Sequence, residues 1–319
     1  MWRAGGTGKL SSGAKKFLSL ISFSDELADL VEAAVAPVLA VHARPRFHSS
    51  GVHWWPGLIV TAEHALRVDD EVTVTRGSEK YTAEIVGRDP GTDLAVLRIS
   101  AESAAAIPVA VRAAAPPRVG SLVVAVGRNT ESANADLGIL GSIGGPAQSR
   151  RGGRLEAVLR LDAGLHPVSA GGVVIDMAGG AIGLATPALS RVVTLAVPNA
   201  TVDRVVRAIV EHGGVPQGYL GAGLQPVALP QHLKDRLALE TSTGLMAVSV
   251  DPEAPAGKAG MVIGDTIVEW NGTPLSHLDV LRAALADSVG KQVPVKILRG
   301  GEMLQLAIEA TVRKKSARS

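Results

Sequence analysis

The chain has 319 residues, of which 46% are hydrophobic and 19% are charged, and this composition excludes a largely disordered protein. The formal net charge of +2 is too small to indicate nucleic acid or an acidic membrane as the main partner. Because cysteine is absent, disulfides, thiolate catalysis and cysteine-bound metals are excluded. The length predicts two or three domains.

The N-terminal part carries a short apolar stretch, FLSLISF at 17–23, directly after Lys15 and Lys16. It is too short to span a membrane, lacks a small-residue cleavage site and is followed at once by Asp25 and Glu26. We therefore expect no membrane span and no signal peptide. The compartment stays open, since the chain as numbered would be cytoplasmic but would be extracytoplasmic if a leader is missing.

The rest of the chain is dominated by short strand signals. A helix is predicted from Asp25 to Val35, and two sets of β-branched stretches follow, separated by Pro116 and Pro117. The connections are too short for parallel crossovers, so we predict a mainly β fold with two antiparallel barrels. The predicted divisions are a flexible segment 1–24, a double barrel over 25–212 (barrel one about 36–112, barrel two about 118–198, closing helix 201–211), a second module over 218–313 and a basic tail 314–319.

Three motifs carry the chemistry. IVTAEHAL at 59–66 contains His64, VGRDPGTDLAVLRI at 86–99 contains Asp93, and LDAGLHPVSAGGVVIDMAGGAIGLAT spans 161–186. Together they resemble the general base, orienting acid and nucleophile regions of HtrA-type, trypsin-like serine proteases, in the chymotrypsin order. Positions of the third motif that fit the family pattern without a gap are Asp162, Pro167, Gly171, Gly172, Gly180, Ile182 and Gly183.

The resemblance fails at the nucleophile. Ala170 stands where the family has its catalytic serine, and the nearby Ser169 occupies the preceding asparagine position. Val168 replaces a glycine that, in the family, orients an oxyanion-hole N–H, a conformation that a β-branched residue resists. A single engineered change would explain Ala170 but not Val168. Gly171 completes the oxyanion loop.

The second module contains GYLGA at 218–222 and PEAPAGKAGMVIGDTIVEWNG at 252–272. Both resemble the PDZ domain of HtrA-type proteases, which binds a peptide C-terminus as an added strand. The resemblance implies that Tyr219, Leu220, Gly221 and Ala222 form the carboxylate-binding loop. Residues expected to line the apolar side-chain pocket are Leu220, Ala222, Leu224, Leu278 and Leu281.

The main hypothesis is a pseudoprotease that binds peptides or unfolded chains as a chaperone, scaffold or regulator. The alternative is an active serine endopeptidase using His64, Asp93 and Ser169. A third hypothesis is a PDZ adaptor with an inert barrel. No cofactor is expected, and no ligand spacing supports a metal at His53, His64 and His166. Family members commonly trimerise through an N-terminal segment, for which Phe17 and Phe23 are available.

Overall fold

The computed structural model describes residues 12–43, 48–68, 70–149, 151–190, 192–215, 218–239 and 241–312. Two compact units divide the chain, and each is described by itself. The first takes its residues from Met1–Val86, Asp93–Gly145 and Ala157–Val202, and the second from Gly87–Thr92, Pro146–Glu156 and Asp203–Ser319. The expected tail 314–319 lies outside the described residues.

The first unit begins with helix α1, Ser12–Ala34. The expectation of a flexible segment up to residue 24, with the helix starting only at Asp25, is wrong for residues 12–24. Neither glycine nor proline occurs between Ala14 and Ala36, and Ala, Lys and Leu in this stretch are good helix formers, so the helix begins earlier. Leu20, Ile21 and Phe23 are exposed along it.

Six antiparallel strands close the first barrel in the order β1-β2-β3-β6-β5-β4. Their inward apolar residues, including Leu39, Val41, Ile59 and Leu97, form its core. The short helix α2, Ala101–Ala105, follows, with the Ser100 side chain capping its start. The strands are β1 Val38–His42, β2 Ser49–Trp55, β3 Leu58–Ala62, β4 Glu71–Arg76, β5 Glu79–Asp89 and β6 Leu94–Arg98.

The second barrel also has six strands, in the order β11-β14-β13-β12-β7-β8 around it. Helix α3, Asn199–His212, follows the barrel and includes the predicted closing helix 201–211. The strands of this region are β7 Leu122–Arg128, β8 Ala133–Gly144, β9 Ala147–Gln148, β10 Arg154–Leu155, β11 Val158–Asp162, β12 Val173–Asp176, β13 Ala181–Thr186 and β14 Thr194–Pro198, with β9 and β10 forming a separate two-stranded sheet.

The second unit contains β9, β10, most of helix α3 and the remaining elements. A main sheet runs β16-β17-β18-β20-β21, with β19 paired to β18 and β15 paired to β22. Its core surrounds the fully buried Trp270, whose Nε1 donates to Ser288 Oγ at 3.0 Å. The elements are β15 Gly218–Tyr219, β16 Ala222–Ala228, α4 Gln231–Leu237, β17 Thr243–Val250, α5 Pro255–Lys258, β18 Thr266–Trp270, β19 Thr273–Pro274, α6 Leu278–Asp287, β20 Gln292–Arg299, β21 Glu302–Glu309 and β22 Thr311–Val312. The predicted fold class, a mainly β double barrel followed by a PDZ domain, is confirmed.

Candidate active site and peptide groove

The register of two strands brings His64 and Asp93 together. In the antiparallel β3–β6 pair, Ala62 lies opposite Leu94. His64 belongs to a short 3-10 helix, Glu63–Ala65, that begins where β3 ends, while Asp93 directly precedes β6. The backbone N–H of Glu63 donates to the carbonyl of Asp93 at 3.0 Å, which joins the two strand ends.

The imidazole of His64 faces the carboxylate of Asp93. Its Nδ1 lies 2.9 Å from Oδ1 and 2.8 Å from Oδ2, and the backbone N–H of His64 donates to Oδ1 at 2.9 Å. The His64 side chain is 28% exposed, whereas that of Asp93 is fully buried. Because a carboxylate accepts hydrogen bonds, this contact assigns the proton of the neutral ring to Nδ1 and leaves Nε2 as its basic nitrogen.

A further donor to Asp93, which sequence reasoning missed, is Thr186. Its hydroxyl donates a short hydrogen bond to Asp93 Oδ2 from the end of strand β13. Asp93 has a φ of 59°, a left-handed conformation that costs on the order of 1 kcal/mol in a residue other than glycine. In the sequence, the only indication of this contact is a hydroxyl residue at the end of an otherwise apolar strand.

Ala170 occupies the nucleophile position and carries no hydroxyl. Its methyl group is buried and packs with Ala62 and Ala65, the residues that flank the Glu63-His64 pair. The backbone carbonyl of Ala170 accepts from Ser50 N–H at 2.9 Å, so the turn is held against strand β2. The side chain beside the general-base position is therefore apolar.

The hydroxyl of Ser169 is engaged elsewhere. Ser169 is fully buried, and its Oγ donates to Oδ2 of Asp136 on strand β8 at 2.6 Å. The same carboxylate oxygen accepts from the backbone N–H of His166 at 3.2 Å. Asp136, a residue that sequence reasoning missed, thus anchors the turn that contains Ser169.

The turn from His166 to Ala170 is a 3-10 helix over Pro167–Ser169. The N–H of Val168 donates to His166 Nδ1 and that of Ala170 to the Pro167 carbonyl, each at 3.3 Å. In chymotrypsin-type enzymes the N–H of the nucleophile and that of the residue two before it form the oxyanion hole. Here both groups have acceptors inside the turn, while the Val168 carbonyl accepts from Ser50 Oγ at 2.6 Å.

Gly171 is required by both conformation and space. Its φ is +78°, and a Cβ there would lie against the Ser50 carbonyl and 2.6 Å from the Ala62 nitrogen. Its N–H donates to the Ala185 carbonyl at 2.9 Å. The glycine therefore lets the turn approach barrel one closely.

The histidines considered as metal ligands have other partners. His53 Nδ1 lies 2.9 Å from the Ile107 carbonyl, and its Nε2 accepts from the Gly57 N–H at 2.9 Å. His166 accepts from Val168, and His64 faces Asp93. Each of the three histidine side chains is therefore hydrogen-bonded to other groups of the protein.

In the second unit, strand β16 is an edge strand, paired on one side with β17. Leu220 is buried just before it, and Leu278, Leu281 and Leu285 of helix α6 pack in the same core. Gly221 has a φ of +74°, and a Cβ there would collide with Ala254. Tyr219, Leu220, Gly221, Ala222, Leu278 and Leu281 all border one groove, so the structure brings the predicted peptide-binding residues together.

Comparisons with known proteins agree with this geometry. The family described as trypsin-like peptidase domain matches residues 49–184, and the family described as PDZ domain matches residues 218–310. A probable periplasmic serine endoprotease DegP-like of Chlamydia trachomatis is 30% identical over 264 residues, covering 80% of this chain and 52% of that protein. Serine endoprotease DegS of Haemophilus influenzae is 28% identical over 262 residues, covering 79% of this chain and 73% of that protein.

Solved structures give the same result. The serine endoprotease from Yersinia pestis has a TM-score of 0.68 and 26% identity, covering 89% of this chain and 98% of that one. The HtrA-type protease AlgW with tripeptide has a TM-score of 0.65 and 26% identity, covering 90% and 97%. The chain therefore resembles HtrA-type serine proteases in sequence and structure, with a trypsin-like peptidase domain followed by a PDZ domain. It spans about half the length of the DegP-like relatives it matches.

No helix among the described residues has the length and apolar character needed to cross a membrane.

Proposed function

We propose that this chain is an HtrA-like pseudoprotease that binds peptides or unfolded chains without cutting them. The observation that carries the proposal is the methyl group of Ala170, packed beside Ala62 and Ala65, in the place of a nucleophile. His64 and Asp93 keep the geometry of a base and its orienting acid. A base of this kind has no effect without a hydroxyl to deprotonate, and removing the nucleophile of a serine protease costs on the order of 10⁶ in kcat.

The state of the turn supports the same proposal. An oxyanion hole needs N–H groups that point at the developing negative charge, and losing one donor costs about 10²–10³ in kcat. The N–H groups of Val168 and Ala170 instead donate to His166 and Pro167 within the turn. A substrate carbonyl in the cleft would therefore lack the usual electrostatic stabilisation.

The alternative is an active endopeptidase with Ser169 as nucleophile. The short hydrogen bond from Ser169 to Asp136 and the complete burial of the side chain count against it. For Ser169 to reach His64, it would have to leave Asp136 and the turn would have to change register. Covalent labelling of the hydroxyl would detect this function.

Peptide recognition is assigned to the PDZ groove. An edge strand beside an apolar helix face can accept an extended peptide as a further strand, and a turn containing Gly221 can hold its terminal carboxylate. Leu220, Leu278 and Leu281 favour an apolar C-terminal side chain. The biological role would be that of a chaperone, scaffold or regulator in protein quality control.

Oligomerisation belongs to the same proposal. The exposed Leu20, Ile21 and Phe23 of α1 offer an apolar surface for a homotrimer through the N-terminal segment. Light scattering of the chain, compared with a variant carrying Ser at these three positions, tests this part. A trimeric mass for both proteins would assign the contact to another surface.

Labelling with a fluorophosphonate tests the absence of activity. The wild-type chain is expected to remain unlabelled under conditions in which an active HtrA-type protease reacts stoichiometrically. Stoichiometric labelling that disappears in Ser169→Ala would overturn the proposal and establish the endopeptidase alternative.

A peptide titration tests binding. A rhodamine-labelled peptide ending in Val with a free carboxylate should bind at least about tenfold more tightly than its amidated counterpart. Leu278→Glu should abolish this preference, whereas Leu304→Glu, on strand β21 of the same domain, should keep it. If Leu278→Glu also abolished the binding of unfolded casein by the full chain, the PDZ adaptor hypothesis would be favoured.

A further inference from the structure

A cluster of basic side chains lies where strands β1 and β4 of the first barrel pair. His42 and His48 stack edge to face with ring centroids 4.5 Å apart, and His42 Nε2 lies 2.8 Å from Thr75 Oγ1. Thr75 is paired with Lys80 across the β4–β5 ladder and is followed by Arg76. Arg76 in turn is close enough to Arg128 to repel it. The members of this basic cluster are His42, His48, Arg76, Lys80 and Arg128.

Arg128 is tied to the turn itself. It ends strand β7, and its backbone N–H donates to Ser50 Oγ at 2.8 Å. The same hydroxyl donates to the Val168 carbonyl at 2.6 Å. The residue before it, Gly127, approaches so closely that a Cβ would lie 2.7 Å from the Cα of Ser169. The backbone of Arg128 is therefore held against the turn that contains Val168 and Ser169.

No described residue neutralises the positive charge of the Arg128 guanidinium. Its Nε is shielded from solvent without a hydrogen-bond acceptor, and no described carboxylate is paired with it. Burial, followed by repulsion from Arg76, lowers the pKa of Arg128. Asp136, an acid on the neighbouring strand β8, already accepts from Ser169 and His166. Nδ1 of His48 is likewise shielded without an acceptor in this part of the chain.

An uncompensated, partly buried cation is costly, and a bound anion would remove that cost. Because Nε of Arg128 is shielded, a carboxylate would meet the two terminal Nη groups, which lie in one plane and fit its two oxygens. Arg76 is held nearby by hydrogen bonds from its Nε and Nη1 to the carbonyls of Ala36 and Ala106, at 3.1 and 3.3 Å. It adds a second positive charge without competing for the same acceptor.

We propose that Arg128, supported by Arg76, forms a carboxylate-binding subsite for an acidic side chain of a peptide lying along the 166–170 turn. His42 and His48 extend the positive surface of the basic cluster on the side of strand β1. The proposal rests on the peptide-binding function proposed above. It adds a preference for Asp or Glu in the bound segment, in a place separate from the groove that takes a terminal carboxylate.

The test uses the full chain and two rhodamine-labelled, C-terminally amidated peptides, Val-Ala-Glu-Glu-Ala-Val and Val-Ala-Gln-Gln-Ala-Val. Amidation removes the terminal carboxylate, which weakens capture by the PDZ groove. The Glu peptide is expected to bind at least about tenfold more tightly than the Gln peptide, the range of one charge-assisted hydrogen bond or more. Equal binding of the two peptides would overturn the subsite.

Two variants test whether the preference for the Glu peptide comes from Arg128. Arg128→Gln should make the two affinities equal, whereas Arg160→Gln, an exposed arginine on strand β11, should leave their ratio unchanged. Because the readout is a ratio, a variant that is only partly folded lowers both affinities without changing it. A ratio that survives in Arg128→Gln would also overturn the proposal.

A titration with citrate tests the carboxylate-binding subsite independently of the proposed peptide-binding function. The side-chain Nε–H resonance of Arg128, followed by NMR, should move saturably as citrate is added at constant ionic strength. If neither amidated peptide nor the Val-ending peptide with a free carboxylate binds, but this shift occurs, the peptide-binding function is wrong while the carboxylate site stands. If the resonance does not move, the carboxylate site is wrong, whatever the peptides do.

Discussion

The hydroxyl of Thr186 donates to Oδ2 of Asp93, the same carboxylate oxygen that lies 2.8 Å from Nδ1 of His64. With the backbone N–H of His64 on Oδ1, the fully buried carboxylate faces three donor groups from two residues. A buried anion is stable only when it is paired and hydrogen-bonded, so these contacts stabilise the folded state. These contacts give the His64–Asp93 pair a structural role that does not depend on a hydroxyl at position 170.

Thr186→Val should therefore destabilise the protein although the change is nearly isosteric. It removes a donor to a buried charged acceptor, which costs about 1–3 kcal/mol. Urea unfolding followed by tryptophan fluorescence measures the loss. Thr73→Val, at an exposed position of strand β4, serves as the control and should change stability by less than about 0.5 kcal/mol. Equal losses in the two variants would contradict a structural role for the Thr186–Asp93 contact.

Gly171→Ala should be more harmful than an alanine at another glycine with positive φ. Gly77 has a φ of +61°, and no atom lies within 4 Å of the place that a Cβ would take, so Gly77→Ala carries only the conformational cost, about 1 kcal/mol. At Gly171 the Cβ would also meet the backbone of Ser50 and Ala62, adding about 1–3 kcal/mol of overpacking. Denaturant midpoints of the two variants measure this difference, and comparable midpoints would show that the turn can move away from strand β2.

An ion pair with a buried carboxylate should make the PDZ domain sensitive to acid. Asp265 is buried and accepts from Nε and Nη2 of Arg299, each at 2.8 Å, and from the N–H of Val262 at 2.8 Å. Burial alone raises the pKa of Asp265, but the hydrogen bonds and the charge of Arg299 outweigh it, so the pKa is lowered. A carboxyl group whose pKa is lower in the folded state stabilises the protein above its unfolded pKa, and this contribution is lost as the pH falls through the folded value.

The expected result is a stability difference that depends on pH. At pH 7, Asp265→Asn should lower the unfolding midpoint of the PDZ domain by roughly 5 °C, and the difference from wild type should shrink below about pH 4. Thermal scans from pH 7 to pH 2.5 measure it. Glu253→Gln, which removes an exposed partner of Lys258 in the same domain, should show little change at any pH. A difference that stays constant with pH would mean that the loss comes from packing and not from charge.

The sequence is sufficient for features that are local in the chain. Strand patterns and short connections predict the two barrels, and the motifs around His64 and Asp93 each sit at the end of one strand, so the β3–β6 pairing alone brings them together. Thr186 and Asp136 could not be predicted, because they reach the site from strands β13 and β8 through tertiary pairing. The predicted start of α1 is wrong although the signal is local. Glycine and serine in the first thirteen residues suggest a flexible segment, but the good helix formers that follow start the helix early.

Restoring a serine should not by itself restore an enzyme. In Ala170→Ser the new hydroxyl would face a position beside His64, but the N–H groups of residues 168 and 170 would still donate within the turn. We expect casein hydrolysis by Ala170→Ser to remain at least about 10²-fold below that of an active homologue, the effect of one missing oxyanion donor.

The double variant Val168→Gly, Ala170→Ser should then gain activity over Ala170→Ser, because glycine allows the peptide before Ser169 to reorient its donor. Val158→Gly with Ala170→Ser is the matched control, since it introduces a glycine at a valine of similar, partial burial on strand β11. Initial rates of casein cleavage, with fluorophosphonate labelling as a second readout, compare the three proteins. Full activity in Ala170→Ser alone would show that the turn opens readily and that the missing oxygen is the only defect.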